Sequence, residues 1–111
     1  MITMKYLTEL LEGPTEAFDE LGFVYHYRRP ENVEKNYAVW QEQNDDSFNA
    51  DNRKSERALQ GTLEYFAIKP DGNLDLLEKA MESFGASWSL SAVQFEPDTN
   101  LIHYSWDWSY S

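Results

Sequence analysis

Apolar residues recur along this chain with two periods, close to 3.6 and close to 2, and the switches between them mark out helices and strands. Met4, Leu7, Leu11, Phe18 and Leu21 fall near helical spacing, with Thr3 placed to cap the first turn. Gly13-Pro14 interrupts that pattern, because proline lacks an amide proton and clashes with the preceding turn. The stretch therefore predicts either a kinked helix or two short ones, the second capped by Thr15, with Gly22 as the stop. FVYHYR (23–28) then alternates as a strand, with Phe23, Tyr25 and Tyr27 on one face. Pro30 and the polar ENVEKN lead to a second strand, YAVWQEQ (37–43).

The next stretch, NDDSFNADNRKSER (44–57), has Phe48 as its single large apolar residue. A charged connection of that length inside a small domain is unusual, and such loops tend to be functional. ALQGTLEYFAIK (58–69) reads as the longest of these first strands, and Gly61 within it predicts a bulge or a close backbone approach. Pro70-Asp71-Gly72 is a turn signal, after which Asp71 or Asn73 caps a helix bearing Leu74, Leu77, Met81 and Phe84 on one face, ended by Gly85. SWSLSAVQFE (87–96) and LIHYSWDWSY (101–110), joined by the turn residues PDTN, form a hairpin. The order α-βββ-α-ββ predicts an α+β fold, a mainly antiparallel sheet with two helices packed on one face. No internal repeat, linker or low-complexity segment divides the chain, so 1–111 is expected to be one domain.

Charge narrows the function classes. Twenty acidic and nine basic residues give a net charge of −11, which disfavours tight binding of nucleic acid through a broad basic face. Aromatics make up 15% of the chain, a share that argues for a folded core and for rings at an interface. Six of the nine cations sit in Arg28, Arg29, Lys35 and in Arg53, Lys54, Arg57. The absence of cysteine excludes disulfides, thiolate zinc sites and thiol nucleophiles. The start, MITMKYLTELLEG, is amphipathic and acidic, unlike a signal peptide, and no run approaches about 18 apolar residues. These features point to a protein kept in a cytoplasm or built into a particle there, with no membrane partner.

The candidate chemistry concentrates in the last strand, where His103, Ser105, Asp107 and Ser109 share a face. At roughly 3.3 Å per residue, His103 and Asp107 lie about 13 Å apart, too far for a hydrogen bond or a shared metal. His103 and Ser105 are about 7 Å apart along the strand, too far for a nucleophile and its base unless the strand bends. No Gly-x-Ser-x-Gly turn presents a serine, and no glycine motif cradles a phosphate. His26 and His103 have no partner ligand at a metal-binding spacing. Trp106-Asp107 repeats nowhere, so it is no propeller signature. The expectation is a protein without catalytic residues, metal or cofactor. The opposite face of the same strand carries Ile102, Tyr104, Trp106, Trp108 and Tyr110. Such a terminal strand suits docking by ring burial or edge pairing, with Trp108 and Tyr110 as the part left to a neighbouring subunit.

Several pieces, in order, resemble a known family: Tyr25-x-Tyr27-Arg28-Arg29-Pro30, Tyr37-Ala38-Val39-Trp40, Ala50-Asp51-Asn52 before a long strand, and Glu96-x-Asp98-Thr99 before the aromatic strand at 102–110. Across nearly the whole chain they are similar to the tail terminators of siphophages and prophages of Gram-positive bacteria, also called tail-completion or tail-to-head joining proteins. The resemblance implies helices packed on a sheet and a homo-hexameric ring in the virion tail, assembled in the bacterial host cytoplasm. Such a ring caps the tail tube protein, stops polymerisation and offers a surface to the head-to-tail connector, while DNA passes through without specific binding. On this reading Arg28 and Arg29 suit inter-subunit ion pairs, because the guanidinium fork matches a carboxylate. Asp51, Asn52, Arg53 and Arg57 belong to a loop that orders on assembly. The alternatives are a phage head-completion, connector or minor tail protein, or a small acidic binding module.

Overall fold

The computed structural model describes residues 4–29, 35–43, 59–69 and 71–110, with side chains from residue 10 onward. Helix α1 (Met4–Asp19) precedes strands β1 (Val24–His26), β2 (Tyr37–Gln43) and β3 (Leu59–Ala67). Helix α2 (Asn73–Ser83) and strands β4 (Ser87–Glu96) and β5 (Leu101–Tyr110) complete the chain. The fold is α+β, with the order α-βββ-α-ββ that the hydrophobic periods predict.

The first helix is not divided. It runs unbroken through Pro14, which is fully buried. Packing across the helix pair holds together what the local sequence would end: the missing side chain of Gly13 lets the Phe84 Cβ and the Tyr110 hydroxyl approach to 3.2 and 3.4 Å of where a Gly13 Cβ would stand. Thr15 therefore lies inside α1 and caps nothing, and the capping role expected of Thr3 falls outside the described residues. The second helix ends as glycine predicts. Gly85 takes φ +87, its N–H donates to the Glu82 carbonyl, and Ala86 N–H donates to Met81, which is the Schellman arrangement. At the other end the N-cap is Gly72, and Asp71 accepts the Asn73 N–H at 2.9 Å from one position further out.

The five strands form one sheet in the order β1-β2-β3-β5-β4, antiparallel throughout except for the parallel pair β1–β2. Strand β1 is shorter than the alternation predicts, and Phe23, Tyr25 and Tyr27 do not share one strand face. Phe23 precedes β1 and packs on Tyr65, while Tyr27 leaves the extended region with φ +68. Register places Trp40, Leu63, Trp106 and Leu90 in one row across β2, β3, β5 and β4, and Ala38, Tyr65, Tyr104 and Val93 in the next. Both helices lie over this face. Phe18 from α1 and Leu77 and Met81 from α2 are fully buried there, each worth about 1.5–3 kcal/mol of apolar burial. Gly61 supplies the close approach its position in β3 suggests: a Cβ there would collide with the Trp108 ring and stand 2.5 Å from the Gln41 carbonyl oxygen.

Candidate interaction surface

The helix-facing rows stay dry across β2, β3 and β5 and then emerge into solvent at β4. Leu90 is 48% exposed, Val93 52% and Phe95 61%, although their row neighbours Trp106, Tyr104 and Leu63 are buried. The cause lies in the layer above. The α2 side chains Leu77, Ala80 and Met81 are spent on the core, and Glu78 reaches sideways to accept the Trp106 indole N–H at 3.1 Å. Nothing among the described residues covers the row beyond. Strand β4 is also an outer strand of the sheet, so one side of its backbone is unpaired with any described strand. Ten residues long, it has one charged side chain, Glu96, and neither lysine nor proline. Among the described residues, this exposed apolar row along an unpaired backbone is the candidate interaction surface.

The final strand is not this surface, contrary to what the sequence alone suggests. Strand β5 lies between β3 and β4, paired on both sides. Trp108 is only 3% exposed and packs against Trp40 and edge-on against Phe84, so the core takes it up rather than a neighbour. Gly61 makes this possible by clearing the floor beneath the indole. Tyr110 is partly buried and edge-on to Phe84, with centroids 5.4 Å apart. Arg28 and Arg29 are exposed just after β1, at the opposite side of the sheet from β4. Asp51, Asn52, Arg53 and Arg57 lie outside the described residues.

Two histidine clusters deserve a chemical reading. His103 stands on the open face of the sheet, its Nε2 3.2 Å from Glu64 and its Nδ1 3.2 Å from Glu96, with Phe66 stacked on the ring. Ser105 Oγ approaches Nε2 at 3.4 Å. The spacing argument thus fails for the side chains: the seven-ångström separation belongs to the backbone, and the two side chains lean together. The geometry still gives poor nucleophile activation. Both ring nitrogens face carboxylates, and Glu64 shares the Nε2 that a general base would have to keep for the serine hydroxyl. Ser105 also sits mid-strand, where the ladder engages the backbone amides that an oxyanion would require. What the cluster does is tie β3, β5 and β4 together across the open face.

On β1, His26 stacks on Trp40 at 3.9 Å and on Tyr27 at 4.1 Å, while its Nε2 meets Glu42 Oε1 at 2.7 Å. Burial alone would raise the Glu42 carboxyl, but hydrogen bonds from Tyr27 and His26 outweigh it and hold the group below the usual carboxylate range. The Tyr27 phenol is pushed up to about 12, by desolvation first and then by Glu42. A third network, illegible in the sequence, joins β3 to the turn after it. The Tyr65 hydroxyl donates to Asp71 at 2.8 Å and accepts from Asn73 at 3.1 Å. Asn36 binds the Ile68 N–H at 2.7 Å and also donates to Asp71. Each of these networks links neighbouring elements of the sheet through side-chain hydrogen bonds. Among the described residues no group of three or more His, Asp and Glu side chains is arranged to hold a metal ion, and no helix is long and apolar enough to cross a membrane. The search against family models and the search of curated proteins both returned no match for the chain.

Proposed function

We propose that this chain is a structural phage tail protein that assembles as a ring, caps the tail tube, stops its polymerisation and provides the surface for head attachment. The observation that carries the reading beyond the sequence resemblance is the uncovered apolar row on the unpaired edge strand β4. Surface of that kind on a small acidic domain is built to be covered by other protein. The partners on this reading are further copies of the chain, the tail tube protein and the head-to-tail connector, in the virion tail. The protein acts without cofactor and without turnover.

Charge supports the same reading. Glu12, Glu16, Asp19 and Glu20 on and just after α1, with Asp75 and Glu82 on α2, make the exposed helix side acidic. We assign that side to the channel, where like charge lets DNA pass without sticking. Imaging tails from a phage lacking this gene tests the role. Overlong tails are the expected result. Normal tails lacking heads would instead favour a head-completion or connector role, and unchanged particles would favour a small acidic binding module.

A further inference from the structure

Strand β4 carries an irregularity that decides what kind of strand can lie beside it. Its pairing with β5 shifts between Leu90 and Ala92, so Ser91 is an extra residue, its hydroxyl donating to the Ser105 carbonyl at 3.0 Å. Before the bulge, Trp88 and Leu90 face the helices; after it, Val93 and Phe95 do. The other face holds Ser87 and Ser89 before the bulge and Gln94 and Glu96 after it. An ordinary strand docking on this edge would match faces along one half and mismatch them along the other. A bulge of this kind normally blunts an edge against arbitrary partners.

One strand matches along its full length: β4 of a second copy, laid antiparallel about a two-fold axis at the bulge. Trp88 then stands opposite Phe95 of the second copy and Leu90 opposite its Val93, all four on the helix side. Ser87 stands opposite Glu96 of the second copy and Ser89 opposite its Gln94, all on the open face. The extra residue in one strand is answered by the extra residue in the other. Sliding one strand by a single residue in either direction sets Trp88 and Leu90 against open-face residues of the second copy. The pairing is also electrically quiet, because the one charge in the strand faces serine rather than its own copy.

We infer that two copies of this chain pair through β4 in this register, joining their sheets and burying the flanks of Leu90, Val93 and Phe95 against one another. Main-chain hydrogen bonds supply the affinity and the matched bulges supply the specificity. The inference rests on the edge geometry alone and holds whatever larger assembly the chain enters. If the tail ring uses the same edge, the pair is the form of the chain away from the tail.

Sedimentation of the purified chain over a concentration series tests it. The wild type is expected to shift from monomer to dimer mass. Leu90→Lys and Val93→Glu alone each weaken association at least ~tenfold by setting charge against apolar surface. The double variant Leu90→Lys/Val93→Glu places opposite charges face to face twice and restores the dimer, whereas Leu90→Lys/Val93→Lys, which sets like charges face to face, stays monomeric. Both positions are half exposed, so melting curves should report folded protein for every variant. A wild type that remains monomeric throughout, association that survives the single variants, or a double variant no better than the singles would each overturn the pairing. None of those results bears on tail length, so the tail role is judged separately.

Discussion

Gly61 is held to glycine from two sides, by the Trp108 indole above it and the Gln41 carbonyl beside it. Gly61→Ala is expected to lower stability by about 3 kcal/mol or slightly more, the upper range for overpacking a rigid core, read as a fall in the denaturant midpoint. Asp71 makes a different demand. Burial would raise its carboxyl, yet the Asn73 N–H, the Tyr65 hydroxyl and Asn36 together hold it below the usual range. Its charged form is therefore favoured in the folded state, so its contribution is present at neutral pH and is lost as pH falls through the lowered folded value. Asp71→Ala should cost about 1–3 kcal/mol near pH 7, partly by taking the acceptor from the buried Tyr65 hydroxyl. The gap between variant and wild type should narrow on acidification below about pH 4. Thermal melts of both proteins from pH 7 down to acid check the sign, and a gap that widens in acid would refute it.

At the level of elements, the helix end at Gly85 and the edge at β4 behave oppositely to mutation. A Cβ at Gly85 meets nothing within 4 Å, so Gly85→Ala tests the left-handed backbone alone and should cost about 1 kcal/mol. On β4, Val93→Thr or Phe95→Thr should change monomer stability by roughly 0.5 kcal/mol or less, whereas Leu63→Ala in the same sheet should cost about 2–5 kcal/mol. Chemical denaturation of the three proteins separates the covered strand from the uncovered one. The elements themselves were legible because Leu74, Leu77, Met81 and Phe84 recur at helical spacing, and because β2, β3 and the final hairpin alternate cleanly. Strand order was not legible. SWSLSAVQFE and LIHYSWDWSY alternate alike, and nothing local says which one is paired on both sides, so ring size alone points to the wrong strand as the edge. Trp108 went to the core because Gly61, distant in sequence, leaves room for it. The networks around Tyr65 and His103 were hidden for the same reason, since Asn36, Asp71, Glu64 and Glu96 meet only when strands pair. Pro14 shows the reverse case, a local break overridden by packing of α1 on α2.

The whole molecule has a dense aromatic core on one side of its sheet and a row of that same core left open at one edge. Trp106 satisfies its indole N–H through Glu78, and the buried indoles of Trp40 and Trp108 have no partner among the described residues. An exposed apolar row along an unpaired strand edge costs the fold little but invites association with other protein. The proposed use is assembly, and the acidic helix side is the surface proposed to face DNA without adhering to it. The most direct measurement is tail length in a phage lacking the gene, complemented either by the wild-type chain or by Leu90→Lys. Normal tails with the wild-type chain, and overlong tails with the folded Leu90→Lys variant, are the predicted results. Normal tail length restored by Leu90→Lys would contradict the assignment of β4 as the assembly surface.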